Sequence, residues 1–240
     1  NSLLESYNGI DLSHLMEDEK DAAGYRQGSI FDDAIQDARE ELCVFLNDYF
    51  RCSDHDEKLR IKANIKRAIE TQLSGQNIDV DLSDIDISGN DKFFLWHTWF
   101  ADVFNRPSDC NISGFDIIIG NPPYVKEDFN RSAFDGFRET SPYYMGKMDL
   151  WYGFACHGID MLTRGGILSF IAQNNWTTSA GAKKLRNCVI SKTMILQLLD
   201  FNEYMVFSGS ASIQTMIMLF KRNDDEDNYT FDLRSLGSSA

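Results

Sequence analysis

The sequence predicts an α/β protein in which a partly parallel sheet follows a pair of inserted helices. Two long stretches in the first half carry apolar residues at helical spacing, which is typical of an antiparallel helix pair. Four short apolar runs in the second half alternate with helical segments. Strands that alternate with helices favour an open sheet with right-handed crossovers.

The helix pair is expected over residues 29–75, after a polar opening with no clear period. Ser29 and Asp32 form a capping-box-like start, and the first helix should end near Cys52. Ser53 and Asp56 repeat the start signal, and Gly75 is a suitable stop. The two apolar stripes are Phe31, Ile35, Ala38, Leu42, Phe45, Leu46 and Tyr49, then Ile61, Ile65, Ala68, Ile69 and Leu73.

A connector over residues 76–113 joins the helix pair to the second half. It begins as an acidic, polar stretch and continues as a dense aromatic run. Such a run is too apolar to stay in water, so we expect it to pack onto the domain that follows. Stacking on nucleic-acid bases is the alternative. The aromatic residues are Phe93, Phe94, Trp96, Trp99, Phe100 and Phe104.

The second half should contain four strands and two helices. The predicted helices are 149–163, closed by Gly165 and Gly166, and 179–190. The last two strands leave no room for a crossover helix, so they should be antiparallel neighbours. No structure is predicted for the acidic, then Ser/Gly-rich tail after Arg222. The predicted strands are 115–120, 167–172, 194–201 and 212–221.

Composition limits the possible partners. The 240 residues carry a net charge of −14, from 37 acidic and 23 basic side chains, which is unusual for a protein that must neutralise DNA phosphates. No apolar run approaches the ~20 residues of a membrane helix, and no leader is visible. The five cysteines form no Cys-x-x-Cys pair, which predicts reduced thiols, no metal site and a cytoplasmic location. The start at Asn1 favours a truncated chain.

The most informative motif is Asn121-Pro122-Pro123-Tyr124, directly after the first strand of the second half. Ligands bind at the carboxyl ends of strands in open α/β sheets. The prolines stiffen the segment and remove two N–H donors, which leaves the Asn121 side-chain oxygen and the Pro122 carbonyl as acceptors. Two fixed acceptors could take both hydrogens of a weakly nucleophilic amino group and direct its lone pair at an electrophile. Tyr124 could stack on a base that has left its duplex. The structural alternative is a Pro-Pro turn in which Asn121 caps the backbone.

At these residues the sequence resembles the gamma-class adenine-N6 DNA methyltransferases, in particular the methyltransferase domain of type IIG restriction–modification enzymes. Phe115–Val125 resembles the catalytic motif of that family, and Phe94–Phe104 the aromatic stretch before it. Four later segments resemble the sequence blocks that follow the catalytic motif in that family. They are Asp149–Phe154, Gly165–Trp176, Lys183–Arg186 and residues 198–222.

The resemblance implies a Rossmann-like methyltransferase core that uses S-adenosylmethionine and acts on double-stranded DNA. It makes Asn121, Pro122, Pro123 and Tyr124 the catalytic segment. Phe207 matches the aromatic residue that closes the other side of the target base, and Asn1 matches a polar residue that contacts the cofactor. The family's Gly-rich cofactor turn and ribose-binding acid are absent here, and no nuclease signature follows Pro107.

The sequence therefore predicts a partial Rossmann-like core containing only its later strands. The expected divisions are a cofactor-side remnant (1–28), the helix pair (29–75), the connector (76–113), the catalytic half (114–222) and a tail (223–240). We expect adenine-N6 DNA methylation by the parent enzyme, and an inactive fragment that lacks N-terminal cofactor-binding and recognition regions. A glutamine-amide methyltransferase acting on protein and a non-catalytic interaction module are the alternatives.

Overall fold

A computed structural model describes residues 2–7, 9–15, 32–75, 92–104, 113–204, 206–207, 213–223 and 229–236; of residues 32–36 and 75 it describes the backbone only. The chain divides into two compact units, Asn1–Asn105 and Arg106–Ala240. In the described part, no helix is long and apolar enough to cross a membrane.

The first unit contains the predicted pair of helices. α1 spans Asp32–Arg51 and α2 spans His55–Gly75, so both predicted helices are confirmed, although Ser29 lies outside the described residues. The start signal of α2 was assigned wrongly: the Asp54 carboxylate, rather than Ser53, accepts the Glu57 N–H at 2.8 Å. The apolar stripes of α1 and α2 face each other and are buried at Leu42, Leu46, Ile61, Ile65, Ile69 and Leu73.

A short hairpin and the aromatic run complete this unit. β1 (Ser6–Tyr7) pairs antiparallel with β2 (Ile10–Asp11), and strands of two residues are too short to show a period in sequence. The aromatic run forms α3 (Trp96–Trp99) and α4 (Ala101–Phe104). We expected this run to pack onto the following domain, but its described ring contacts include α1, with Trp99 5.2 Å from Tyr49 between centroids.

The second unit is built on one mixed five-stranded sheet. Its strands are β3 (Phe115–Gly120), β4 (Leu162–Gln173), β5 (Thr193–Asp200), β6 (Thr215–Arg222) and β7 (Asp232–Ser235), in the order β3-β4-β6-β5-β7. β3 and β4 are parallel, and β6 is antiparallel to both of its neighbours. The prediction of four strands in one sheet with the last antiparallel is confirmed. The prediction did not specify that β6 would lie between β4 and β5 in the sheet.

β7 was missed because it lies in the tail, for which no structure was predicted. It pairs in parallel with β5 at the sheet edge, and the Gln197 side chain donates to Asp232 at 3.1 Å. Its four residues are mostly exposed, so the sequence shows no buried face.

The helices of the second unit are α5 (Phe137–Thr140), α6 (Leu150–Asp160) and α7 (Lys183–Lys192). We placed the end of α6 at Gly165 and Gly166, and this was wrong: α6 ends at Asp160 and both glycines lie within β4. They accompany a break in register, because Phe115 pairs with Leu162 whereas Ile117 pairs with Ile167. A Cβ on Gly166 would lie 2.8 Å from the Phe115 carbonyl oxygen, so only glycine fits this bulge. The predicted helix 179–190 is a 3₁₀ turn at Ala180–Ala182 followed by α7.

β3 differs from its predicted environment. Its continuous apolar run indicated a strand buried on both faces. In the structure β3 is an edge strand, and Ile117 and Ile119 are 68% and 80% exposed.

Candidate active site

Three loops meet where the strands of the second unit end. β3 ends at Gly120 and is followed by Asn121, β4 ends at Gln173 and is followed by Asn174, and β5 ends at Asp200. The antiparallel strand β6 begins at this edge, because Thr215 pairs with Gln173. The Asn-Pro-Pro-Tyr segment therefore lies at the carboxyl edge of the sheet, as predicted.

The segment itself is held to the sheet through Tyr124. Its hydroxyl lies 2.9 Å from the Asn121 side-chain oxygen and 3.0 Å from the carbonyl oxygen of Ile171 in β4. Pro122 is buried, whereas Asn121 and Pro123 are exposed. Because a hydroxyl has one proton, Tyr124 donates to one of these acceptors at a time. The arrangement fixes the Asn121 oxygen and leaves the rest of its side chain in solvent.

Two ionisable groups, one in the segment and one near it, have raised pKa values. Burial, and to a lesser extent the charge of Asp149, raises the pKa of Tyr124 to about 12, so the phenol is a neutral donor at physiological pH. Asp149 is 3% exposed and caps α6, with its Oδ1 accepting the Trp151 N–H at 3.4 Å. Burial raises the pKa of Asp149 to about 6, against the lowering effects of the Trp151 N–H and Lys126.

A buried carboxylate connects the catalytic segment to the chain before α6. Lys126 forms a β-bridge with Asp149, flanked by bonds from Leu150 N to Val125 O (2.8 Å) and from Glu127 N to Met148 O (3.0 Å). The buried Glu127 carboxylate accepts the Tyr144 hydroxyl at 2.6 Å and the Lys147 N–H at 2.7 Å. The hydrogen bond to Glu127 raises the pKa of Tyr144.

A second polar group joins the ends of β4 and β5. The Asn174 amide donates to both oxygens of Asp200, at 3.1 and 3.3 Å. The N–H of Asn202 donates to Asp200 at 2.9 Å, and the side chain of Asn202 donates to the Leu236 carbonyl at 2.7 Å. This group anchors the beginning of the connection between β5 and β6.

The remaining predicted residues are not brought into the site by the described contacts. Phe207 is half-buried in the connection between β5 and β6, and no ring contact joins it to Tyr124 in the described part of the chain. Asn1 lies outside the described residues. No cluster of His, Cys, Asp or Glu within the described ranges could hold a metal ion.

Sequence reasoning missed Glu127, Asp149, Asn174 and Asp200. Their positions were nevertheless readable, since each follows the catalytic segment, begins a predicted helix, or stands at the end of a predicted strand. Polar residues at such positions collect at one edge of an α/β sheet.

The sheet carries Asn-Pro-Pro-Tyr at its carboxyl edge, which is the arrangement that the resemblance to methyltransferases implies. Comparison with known families agrees: the chain belongs to the Eco57I restriction-modification methylase family, whose model matches residues 28–207. The resemblance to restriction–modification methyltransferases noted in the sequence is thereby confirmed, and the mixed sheet with its helices agrees with the predicted α/β class.

Relatives of this chain include enzymes of restriction–modification systems. It is 27% identical over 135 residues to the type II restriction enzyme and methyltransferase RM.Eco57I of Escherichia coli, covering 54% of this chain and 13% of that protein. It is 27% identical over 132 residues to the type II methyltransferase M.HincII of Haemophilus influenzae, covering 53% and 24%. The matched region thus spans a quarter or less of either relative.

Solved structures give more distant matches. The M protein of the type I restriction enzyme EcoKI matches with a TM-score of 0.33 and 15% identity, covering 80% of this chain and 38% of that one.

Proposed function

We propose that this protein takes part in transferring a methyl group from S-adenosylmethionine to the N6 amino group of adenine in DNA, within a restriction–modification system. The observation that carries the proposal is the Asn121 oxygen, fixed by the Tyr124 hydroxyl at the carboxyl edge of the sheet. Family membership supports it, and so do relatives that are named as type II methyltransferases.

The proposed chemistry begins with two acceptors. The Asn121 side-chain oxygen and the Pro122 carbonyl would each accept one hydrogen of the adenine amino group. This draws the nitrogen towards a tetrahedral form, with its lone pair available to the methyl carbon. The nitrogen would gain positive charge as its bond to the methyl carbon forms and the methyl–sulfur bond breaks, and oxygen dipoles that are already oriented would stabilise that charge. The sulfonium would leave as a neutral thioether, and the methylated nitrogen would then lose one proton to solvent.

Tyr124 would contribute in two ways. Its ring provides a face on which a flipped base can stack, and base–aromatic stacking contributes about 1–3 kcal/mol per base. Its hydroxyl can donate to Ile171 when Asn121 is occupied by substrate, because both acceptors lie within hydrogen-bond distance. We assign Phe207 to the opposite face of the base, in keeping with its place at the same edge of the sheet.

The described residues fit the amine-binding half of this reaction rather than the cofactor-binding half. No glycine-rich turn follows a strand in the described part of the chain, and Asn1 lies outside it. S-adenosylmethionine would supply the electrophilic methyl group, and no contact with it is assigned to these residues.

The distribution of charge supports a nucleic-acid substrate. Residues 114–222, which we propose as the catalytic half, contain 11 basic and 9 acidic side chains. The net charge of −14 therefore arises entirely outside this region. A region that is not repelled by phosphates can approach DNA, while basic surfaces elsewhere in the intact protein would provide most of the affinity. We place that activity in the cytoplasm, where its DNA substrate would be.

Methylation of a glutamine amide in a protein is the second candidate. An amide nitrogen poses the same chemical problem as the adenine amine, and the acidic net charge of the chain favours a substrate other than DNA. A non-catalytic interaction module is the third possibility, and it predicts no methyl transfer to any substrate.

Methyl transfer by the intact protein distinguishes these functions. Labelled S-adenosylmethionine would be supplied with DNA or with protein, and N6-methyladenine would be measured by mass spectrometry of the digested DNA. We expect label in DNA, loss of that label with Asn121→Ala, and little change with Asn187→Ala, a control on the exposed side of α7. Label in protein alone would favour the second candidate. The same DNA label with Asn121→Ala would refute the assigned site.

A further inference from the structure

Lys147 has an unusual backbone conformation. Its φ angle is 49°, in the left-handed region that few residues other than glycine adopt, and Gly146 before it has a φ of 75°. A non-glycine residue in this region costs of the order of 1 kcal/mol or more, and such strain collects at functional sites. Glycine adopts a positive φ angle without a steric penalty, whereas lysine, which has a Cβ, does not.

Contacts from two other segments hold Lys147 in this conformation. The Lys147 N–H donates to the buried carboxylate of Glu127 at 2.7 Å, and the other oxygen of Glu127 accepts the Tyr144 hydroxyl. On the other side, Gly181 approaches the Lys147 carbonyl so closely that a Cβ at position 181 would collide with it. The surrounding structure thus fixes the backbone of an exposed lysine.

The lysine is bonded to the stretch of chain that directly follows the catalytic segment. Glu127, which binds the N–H of Lys147, is only three residues after Tyr124. The bridge between Lys126 and Asp149 joins the same two stretches of chain. Lys147 is exposed, and its ammonium forms no ion pair with any carboxylate in the described part of the chain. The Glu127 charge is already bound by a hydroxyl and a backbone N–H.

We propose that Lys147 binds a phosphodiester of the substrate strand next to the base that enters the site. This rests on the proposed function in DNA methylation. A fixed backbone lets a flexible ammonium side chain reach a phosphate from a defined point, and a cation without an intramolecular partner keeps its charge for the ligand. Binding of a phosphate would give the strained backbone of this surface residue a functional role, as is common for residues in sparsely populated φ/ψ regions.

Salt dependence of DNA binding tests this proposal in the intact protein. Each phosphate contact contributes about 0.9 to the slope of log K against log salt concentration. Lys147→Met should reduce the magnitude of that slope by about 0.9, the contribution of one phosphate contact. It should also raise the KM for DNA severalfold, with kcat and the KM for S-adenosylmethionine little changed. Lys147→Arg keeps the charge and should keep the slope. Lys221→Met is the matched control, because Lys221 is exposed near the end of β6, away from the carboxyl edge of the sheet.

Glu127→Ala provides a second test that leaves the lysine in place. Alanine removes both carboxylate oxygens, so the Lys147 N–H loses its acceptor and the backbone of Lys147 loses this support. We expect a higher KM for DNA, with the slope reduced as in Lys147→Met. The melting temperature of the variant shows whether it is still folded, and so whether the higher KM reflects the lost support rather than unfolding.

The outcomes separate this proposal from the proposed function. If Lys147→Met leaves the slope and the KM for DNA unchanged while Asn121→Ala abolishes methylation, the phosphate contact is wrong and the function stands. A higher KM for S-adenosylmethionine alone would place Lys147 at the cofactor and overturn the proposal. If the intact protein methylates no DNA, the proposed function fails and the phosphate contact fails with it.

Discussion

The Tyr124 hydroxyl lies 2.9 Å from the side-chain oxygen of Asn121 and 3.0 Å from the Ile171 carbonyl oxygen. One proton therefore serves two acceptors, of which one is proposed to hold the reacting amine. The hydroxyl can orient Asn121 before substrate binds and turn to Ile171 afterwards. The ring and the hydroxyl of Tyr124 thus have separable functions.

Tyr124→Phe should separate them. The ring face remains, so binding of the flipped base, measured by fluorescence of 2-aminopurine at the target position, should stay within about twofold. Loss of one hydrogen bond that orients Asn121, worth about 0.5–1.5 kcal/mol, should lower kcat by about 2- to 10-fold. Tyr124→Ala should weaken both base binding and kcat. Equal loss of base binding in both variants would contradict separate functions.

Asn121→Ala should lower kcat far more than it changes the KM for DNA. If the amide oxygen stabilises charge that develops only in the transition state, its loss falls on turnover. By comparison with oxyanion-hole groups, we expect a decrease of about 10²–10³ in kcat. Because Asn121 is exposed, the free energy of unfolding should change by less than about 0.5 kcal/mol. A folded, fully active variant would show that Asn121 is not catalytic, and a variant that unfolds would identify it as a structural residue.

The sequence was sufficient to place the Asn-Pro-Pro-Tyr segment at the carboxyl edge of the sheet, because apolar runs and paired prolines are local signals. It predicted the four long strands and both long helices for the same reason. It could not show that Gly165 and Gly166 lie in a bulge of β4, since a glycine pair also ends helices and only the close approach of Phe115 decides between them. The partners of Glu127 are contributed by residues 17 and 20 positions away. Such pairings depend on tertiary structure, so no spacing rule predicts them.

Asp149→Asn should alter the pH dependence of stability. The pKa of Asp149 is raised from 3.8 to about 6, so between these values the folded state holds a proton that the unfolded state has lost. The stability contributed by that proton is complete below about pH 4 and is lost as pH rises through 6. Asparagine keeps a capping oxygen without the charge. The variant should therefore gain stability relative to the wild type between pH 4 and pH 6.

Denaturant unfolding at intervals from pH 4 to pH 8 measures this difference. Asp128→Asn, which removes an exposed carboxylate from the loop after β3, is the control. The titratable groups near Asp149 are Lys126, Tyr124 and Tyr152. Burial raises the pKa of both phenols, so they stay neutral in this pH range, and Lys126 opposes the trend. A stability difference that does not vary with pH would show that the buried carboxylate is not protonated in the folded state.

Gly181→Ala should destabilise the second unit by about 1–3 kcal/mol, a typical cost of adding a methyl group to a tightly packed place. The Gly181 φ angle is outside the left-handed region, so the obstacles to a side chain are the Lys147 carbonyl group and, less closely, the Met148 Cα. Ala180→Ser, in the same turn and exposed, should be neutral. Thermal unfolding checks both variants, and an unchanged melting temperature for Gly181→Ala would show that the Lys147 backbone can move aside.

A charge exchange between Asn174 and Asp200 provides the last prediction. Asn174→Asp places two carboxylates where an amide now donates to both oxygens of Asp200, so the ends of β4 and β5 should repel each other. Loss of a hydrogen bond to a charged group costs about 1.5–3 kcal/mol, and we expect destabilisation of at least this size. The double variant Asn174→Asp, Asp200→Asn reverses donor and acceptor, and its new amide oxygen can still accept the Asn202 N–H. Stability should then recover by more than half, which a double-mutant cycle measures directly. Methyl transfer should recover with it if this pair positions the connection that carries Phe207. Recovered stability without recovered methyl transfer would instead mean that the Asp200 charge itself acts on the substrate.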